Sequence, residues 1–365
     1  MSVLTKALDR IFHSLQQHRP EVASLLKPGL TLEEIESQVK NLPFRLPQEV
    51  FELYQWHNGI DFLSISRSNN LILDTRFIPY FDFLSLEQAI EESQEIEEFR
   101  YKYTSPNAEN CHKPWFPIFA YDDLEYLIVF GDSTDNKISP VIHCHLGGGS
   151  LPQIKYPSLT TLMLIVAECY ETGAYYMDEN SEYASYYIAC LEQDKKQVTQ
   201  SESKYCFELL EEALEALRHP ISLLNSKVFN TLMRLPDPRT LEPMLYALHI
   251  PLSEVEDEEK NIVIRLRAAM ILGELGDLRA VEPLMRALEH RLSGDSRYAV
   301  ANQAAEALGK LGDTRAIGAL KQFLQNNRSI LPVFVPSLSW CHRIALSEAR
   351  EKANWALKQL ERKNL

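Results

Sequence analysis

Three groups of residues have the types and spacing for chemistry. His143-Cys144-His145 offers two imidazoles and a thiol, donors that zinc accepts readily. In a strand, however, alternate side chains face opposite sides, so His143 and His145 share a face and Cys144 points away. Cys111 or His112 could complete such a site only by coincidence of fold, and the expectation is a structural strand with partly exposed histidines and no metal. Gly147-Gly148-Gly149 follows that strand, but "SLPQIKYP" comes next and not a helix, so the setting in which glycines cradle phosphate is missing. The third group, Trp56-His57-Asn58-Gly59, interrupts the helical run "ELYQWHNGIDF". Gly takes left-handed backbone without penalty and Asn with little, so Asn58-Gly59 is expected to be a left-handed C-cap, with Trp56 and His57 closing the helix against a sheet. No GxSxG, HExxH or CGxC element organises the remaining nucleophiles and acids. The expectation is no catalytic residue and no cofactor.

Composition narrows the class further. The chain has 365 residues, 45% apolar and 24% charged, as in an ordinary globular protein of two or three domains. No run of about 18 uncharged apolar residues exists, so no membrane-spanning helix is expected. "MSVLTKALDRIFHSLQQ" carries charges among its apolar positions. It is an amphipathic helix with Leu4, Leu8, Ile11, Phe12 and Leu15 on one face, not a signal peptide. The six cysteines form no CxxC pair and are spread thinly, which favours reduced thiols and a cytoplasmic setting. The net charge of −14 is uneven: residues 220–365 hold 20 basic and 17 acidic residues, and residues 1–219 hold 17 and 34. An acidic first part repels phosphate backbones and the second part has no basic run, so nucleic acid is not an expected partner.

The elements that position these residues fall into two grammars. Residues 1–30 form the N-terminal amphipathic segment, and residues 31–176 mix helix and strand signals. Thr31–Glu34, "TLEE", is a capping box, and Pro47 opens a second helix whose face carries Val50, Leu53, Tyr54 and His57. "LILDT" (71–75), "FPIFAY" (116–121), "EYLIVF" (125–130) and "PVIHCHL" (140–146) read as strands, with a hairpin turning at Asp122-Asp123-Leu124. A strongly acidic helix starts at Ser85. Another runs from Ser158 to Gly173, with a wide apolar face that should pack on the sheet. This part is α+β, an antiparallel sheet with packed helices. Residues 177–204 read as a short helix near Tyr183–Glu192 and a polar linker.

From residue 205 to residue 365 the chain is all helix and repeats itself. "LPDPRTLEPMLYAL", "LGDLRAVEPLMRAL" and "LGDTRAIGALKQFL" align without gaps from Leu235, Leu275 and Leu311, each after a further helix. Two helices per unit at this period is the signature of a HEAT-type α-solenoid. Asp237, Asp277 and Asp313 are expected as N-caps of the second helices, and Gly276 and Gly312 as the tight turn before them. Arg239, Arg279 and Arg315 follow each Asp by two residues and suggest an Asp–Arg ladder between neighbouring repeats.

Two resemblances rest on these residues. "LPQEVFELYQWHNGIDF" (46–62), the hairpin "WFPIFAYDDLEYLIVF" (115–130) and the helix "YPSLTTLMLIVAECYETGAY" (156–175) resemble the SUKH superfamily, which includes fungal cell-wall synthesis regulators and bacterial toxin-immunity proteins. Two departures are the insert from Ser85 to Cys111 and the acidic turn at Asp122-Asp123. The repeats around Ala268–Leu288 resemble the short HEAT-like repeats of phycobilisome lyases and bacterial scaffold proteins. The resemblances imply a non-enzymatic interaction protein. An acidic SUKH-like module, with Asp122 and Asp123 on its surface, would bind a protein partner, in immunity relatives a toxin domain with a basic face. The solenoid would offer its concave face for a second protein contact, with Arg279, Arg286, His290 and Arg315 as its candidate binding residues. The alternative is a chromophore lyase or isomerase, with Arg279, Arg286, Arg315 and His290 holding a tetrapyrrole's carboxylates.

Overall fold

The computed structural model describes residues 1–61, 76, 78, 80–103, 113–121, 124–132, 138–146, 153–177, 188–189, 192–251, 253–255, 257–289, 296–327 and 340–362. The chain divides into two compact units, Met1–Glu208 and Leu209–Leu365. The expected strand at 71–75, the Asp122-Asp123 turn, Gly147–Gly149, Cys111, His112, His290 and most of the short helix near 183–192 lie outside the described residues.

The first unit opens with α1 (Val3–His18), capped by the Ser2 hydroxyl, which accepts from the Thr5 amide at 3.0 Å. Its apolar stripe, Leu4, Ala7, Leu8, Ile11 and Leu15, is at most 2% exposed, because α1 packs along a later helix, α6 (Leu159–Glu171). The N-terminal segment is therefore part of the core. After α2 (Pro20–Leu25) and β1 (Leu26–Pro28), the capping box holds as written: Thr31 accepts from the Glu34 amide and Glu34 from the Thr31 amide, opening α3 (Leu32–Val39). Helix α4 (Gln48–Trp56) follows, with Pro47 at its N-cap, and runs straight into β2 (His57–Ile60), which pairs with β1.

The main sheet is antiparallel throughout, in the order β3 (Asp82–Phe83), β4 (Trp115–Tyr121), β5 (Glu125–Phe130), β6 (Val141–His145) and β7 (Gln153–Tyr156). The register of the hairpin is Trp115↔Phe130 through Tyr121↔Glu125, interrupted at Pro117–Phe119. A proline lacks the N–H that a central strand needs, and an irregularity is where a sheet tolerates one. Both faces are covered, so these strands are apolar almost without alternation. On one side Trp115, Tyr126, Ile128, Phe130, Ile142 and Cys144 form a core with Ile96 of α5 (Leu86–Tyr103), the acidic helix that fills the insert. On the other, Phe119 lies 5.3 Å from Phe83, whose ring stacks on Tyr54 of α4 at 5.8 Å.

The wide apolar face of helix α6, Leu159, Leu162, Met163, Ile165, Val166 and Cys169, is buried, with α1 and α7 (Glu192–Tyr205) packed along the helix and β7 of the sheet in contact with it. Helix α7 occupies the stretch read as a polar linker. Its buried polar side chains have partners: Ser201 donates to Glu168 at 3.2 Å and Glu202 accepts from Tyr156, while the exposed Lys204 pairs with Glu168 at 2.6 Å. Composition reads such a segment as solvated because it does not record where the partners lie. Between α6 and α7, β8 (Tyr176–Met177) pairs with β9 (Ile188–Ala189).

Among its described residues the second unit is helical: α8 (Phe207–Ala216, which begins two residues before the division), α9 (Ser226–Arg234), α10 (Leu241–Leu248), α11 (Glu258–Leu275), α12 (Val281–Glu289), α13 (Ser296–Leu311), α14 (Ala316–Asn326) and α15 (Trp340–Arg362). Successive first helices stack, α11 on α13 and α13 on α15, while α10, α12 and α14 follow them as second helices. The motif LGxLGD, replaced by LMRLPD at 232–237, makes the junctions at 272–277 and 308–313. Its second glycine, Gly276 or Gly312, ends the first helix in left-handed backbone, with φ of 72° and 69°. The Asp then caps a short 3₁₀ turn or its equivalent. Its first glycine, Gly273 or Gly309, lets the next first helix approach: a Cβ on Gly273 would lie 3.0 Å from Ala307 Cα.

Candidate protein-binding surfaces

The first unit has an open cleft of about 870 Å³ where α3, the 40–46 segment and α4 meet. Leu32, Val39, Leu42, Pro43, Phe44 and Phe51 line it, with Lys40, Arg45, Glu52 and Asp132 among them. The proline pair Pro43 and Pro47 prevents "NLPFRLP" from joining either helix. The segment is fixed instead by backbone bonds, from the Arg45 amide to the Asp132 carbonyl at 2.8 Å and back at 3.1 Å, and by the Phe44 ring against Phe116. Apolar side chains thus stay open to water, and Leu32 is 44% exposed. A concave, largely apolar cleft with a few charged groups is built for binding. Sequence reasoning missed it, though one signal was present: Leu42, Phe44 and Leu46 alternate at a strand's period in a segment that Pro43 and Pro47 keep out of a regular element.

The Trp56–Gly59 stretch is placed differently from its expected role as a C-cap. Helix α4 ends at Trp56, and His57 is already extended at φ −150°. Asn58 belongs to β2 and is buried; its Oδ1 accepts from the Leu86 amide at 2.8 Å, so it caps α5 from across the chain. Gly59 has φ 76° inside the strand, and a Cβ there would lie 2.4 Å from the Ser85 nitrogen. Both residues serve the start of a helix 28 positions away. Trp56 and His57 pack on Phe12 of α1, at 6.3 and 5.2 Å. His57 Nδ1 donates to the Lys27 carbonyl at 2.7 Å, and burial holds its pKa below the usual histidine range.

His143 and His145 do share a face, turned toward Glu125 on β5. Glu125 Oε2 lies 2.8 Å from His143 Nε2, and Oε1 lies 3.5 Å from His145 Nδ1. Burial lowers the His143 pKa against the opposing pull of Glu125. Cys144 is buried on the opposite face, and burial pushes its thiol pKa up to about 12. Among the described residues no group of three or more His, Cys, Asp and Glu is arranged to hold a metal ion.

In the second unit the recurring Asp–Arg pairs close within their own repeats. Asp237 receives the Arg239 amide at 2.8 Å and both Nε and Nη2 at 2.9 Å. Asp277–Arg279 and Asp313–Arg315 repeat the arrangement, with Nη2 to Oδ2 at 2.7 Å in both. The expected ladder between repeats is therefore secondary. Once the Asp caps the turn, its carboxylate faces the amide and guanidinium two residues on. The Arg then reaches back one repeat: Arg239 to Glu211 at 2.8 Å, and Arg315 to the Leu278 carbonyl at 3.4 Å. Glu242 and Glu282 add attraction for Arg279 and Arg315. Of the cations expected to hold carboxylates, Arg279 and Arg315 are thus occupied, and Arg286 stands exposed on α12. Asp122, Asp123 and His290 are outside the described residues.

Fold and surfaces together define an α+β domain with an open apolar cleft, joined in one chain to a stacked α-solenoid. Comparison with known families gives each part its kind. Residues 29–164 match the SMI1 / KNR4 family (SUKH-1), and residues 251–331 match HEAT repeats. The chain carries a SUKH domain followed by HEAT-like repeats. Among curated proteins, none matches it. No helix among the described residues is long and apolar enough to cross a membrane.

Proposed function

We propose that this is a non-enzymatic interaction protein whose SUKH domain grips a partner protein through the cleft between α3 and α4. The observation that carries the reading is the cleft itself, where Leu32 and its apolar neighbours stay exposed on a domain with a large acidic excess. The apolar lining would take one or two side chains of the partner, and the acidic surroundings would favour a partner with a basic face and speed its approach. Immunity-type capture of a toxin domain is the specific form of this reading, with the HEAT-like repeats as a scaffold. The lyase alternative would require Arg279 and Arg315 to leave their own aspartates, which disfavours it.

The test uses the tagged full chain for capture from native extract at low and high salt. Each retained protein is then purified and titrated against the parent chain, Leu32→Glu and Gln55→Trp, which respectively charge and fill the cleft. Expected are saturation at one partner per chain, no covalent change in either protein, and affinity weakened at least about tenfold by both substitutions, on the scale of a lost apolar anchor. Equal binding by all three chains, or turnover of the partner, would defeat the reading.

A further inference from the structure

A second surface lies on α15, in the other unit and with opposite charge. Leu346, Ala349, Ala353, Ala356, Leu357 and Leu360 of this helix are buried, as it packs against α13 and α14. Ser347, Arg350, Glu351, Asn354, Trp355 and Lys358 form a different strip, with spacings of three and four residues, and line a depression of about 490 Å³. Two features of that strip are unusual. Trp355 is 38% exposed, yet its ring is seated over Gly309 of α13, where a Cβ would lie 2.4 Å from it. The ring is thus held in place with one side to solvent. The Nε of Arg350 is buried and has no hydrogen-bond partner among the described residues. Nearby cations are used differently: Lys352 pairs with Glu306 at 2.7 Å and Lys321 with Glu361 at 3.0 Å.

We propose that this strip docks an acidic segment of a partner protein. A carboxylate would pair with the Arg350 guanidinium, satisfying the donor that is desolvated without a partner, and an apolar side chain would lie on Trp355. Charge selects the occupant: the lining carries the half-buried Arg350 and the exposed Lys358, with Glu351 as its one carboxylate. A guanidinium half out of water binds a carboxylate through paired N–H donors, and Trp and Arg are the residues that most often carry an interface. The site is separate from the SUKH-domain cleft, whose surroundings favour a basic partner.

The probe is a random 12-residue peptide library displayed on phage, depleted on the Arg350→Gln full chain and then selected on the parent full chain. Survivors rich in Asp and Glu with an aromatic or aliphatic neighbour are expected. A synthetic survivor should bind the parent chain, lose affinity about tenfold or more with Arg350→Gln and Trp355→Ala, and lose a smaller factor with Lys358→Glu. Leu32→Glu should leave it unchanged, and added salt should weaken it. Lys358 is exposed, so its variant remains informative if Trp355→Ala unfolds; circular dichroism and melting temperature report folding. Survivors without carboxylate bias, no survivors above the depleted background, or equal binding by the parent and Lys358→Glu chains would each overturn the proposal.

Discussion

Asn58 shows how one side chain can define a junction. Its carbonyl oxygen accepts from the Leu86 amide in a buried setting, while its amide nitrogen lies 3.3 Å from Glu87. Asn58→Ala leaves a helix N-terminal amide without an acceptor and should cost about 1–2 kcal/mol in urea unfolding. Gly59→Ala should cost at least as much, about 1–3 kcal/mol, because φ is left-handed and the added carbon meets the Ser85 backbone. A loss below about 0.5 kcal/mol for both would mean that β2 does not hold the start of α5. Thiol chemistry offers a second check at this scale. Cys144, Cys169 and Cys206 are buried, and the Cys144 thiol is pushed to about 12. All three should stay unmodified by iodoacetamide in the native chain and react once it is denatured, as read by peptide mass spectrometry.

Among the helices, close approach and capping dominate. Glu49 of α4 is 7% exposed and its carboxylate receives the Thr160 amide at 2.9 Å and the Leu159 amide at 3.3 Å, so one helix caps the start of another. Glu49→Ala orphans two amides and should destabilise the first unit by about 1–3 kcal/mol. In the solenoid, Gly309→Ala forces Trp355 and the α15 backbone outward, with Ala356 Cα only 3.1 Å from the new carbon. The expected cost is about 1–3 kcal/mol, with a shift in tryptophan emission as the ring is displaced. Unchanged emission would show that α13 and α15 slide without moving the ring. These junctions were partly legible: LGxLGD can be read as a helix end, a turn and a cap. The reach of Glu49 to residue 160 could not be read, since nothing local distinguishes it from Glu52, whose partner is the Ser2 hydroxyl.

For the whole molecule, titration should reveal two separate acid windows. His57 and His143 have folded-state pKa values lowered by burial, so the unfolded chain binds protons more readily. Stability should be full above the unfolded histidine value of about 6.5 and fall as pH drops below it. Asp237, Asp277 and Asp313 are lowered by their hydrogen bonds to Arg239, Arg279 and Arg315. Their contribution is present above about 3.9 and is lost as pH falls through the folded values. Urea melts from pH 8 to 3 should show both declines. His57→Gln should flatten the first and Arg279→Gln should weaken the second. A flat profile between pH 7.5 and 5.5 would remove the buried histidines from the account.

By itself the sequence determined the class of each part. Short runs of β-branched and aromatic residues bounded by turn residues, and a 36- to 40-residue repeat with Asp and Gly at fixed offsets, are local patterns, and local backbone preference suffices to read them. The tertiary structure decided what those residues serve. It turned an apparent C-cap into a clasp on a distant helix, a polar linker into α7, and an unremarkable proline-bounded loop into the cleft. The physical reason is common to all three. A hydrogen-bond acceptor, a buried polar face or an exposed apolar one acquires its role from a partner far away in sequence, and only packing brings that partner into contact.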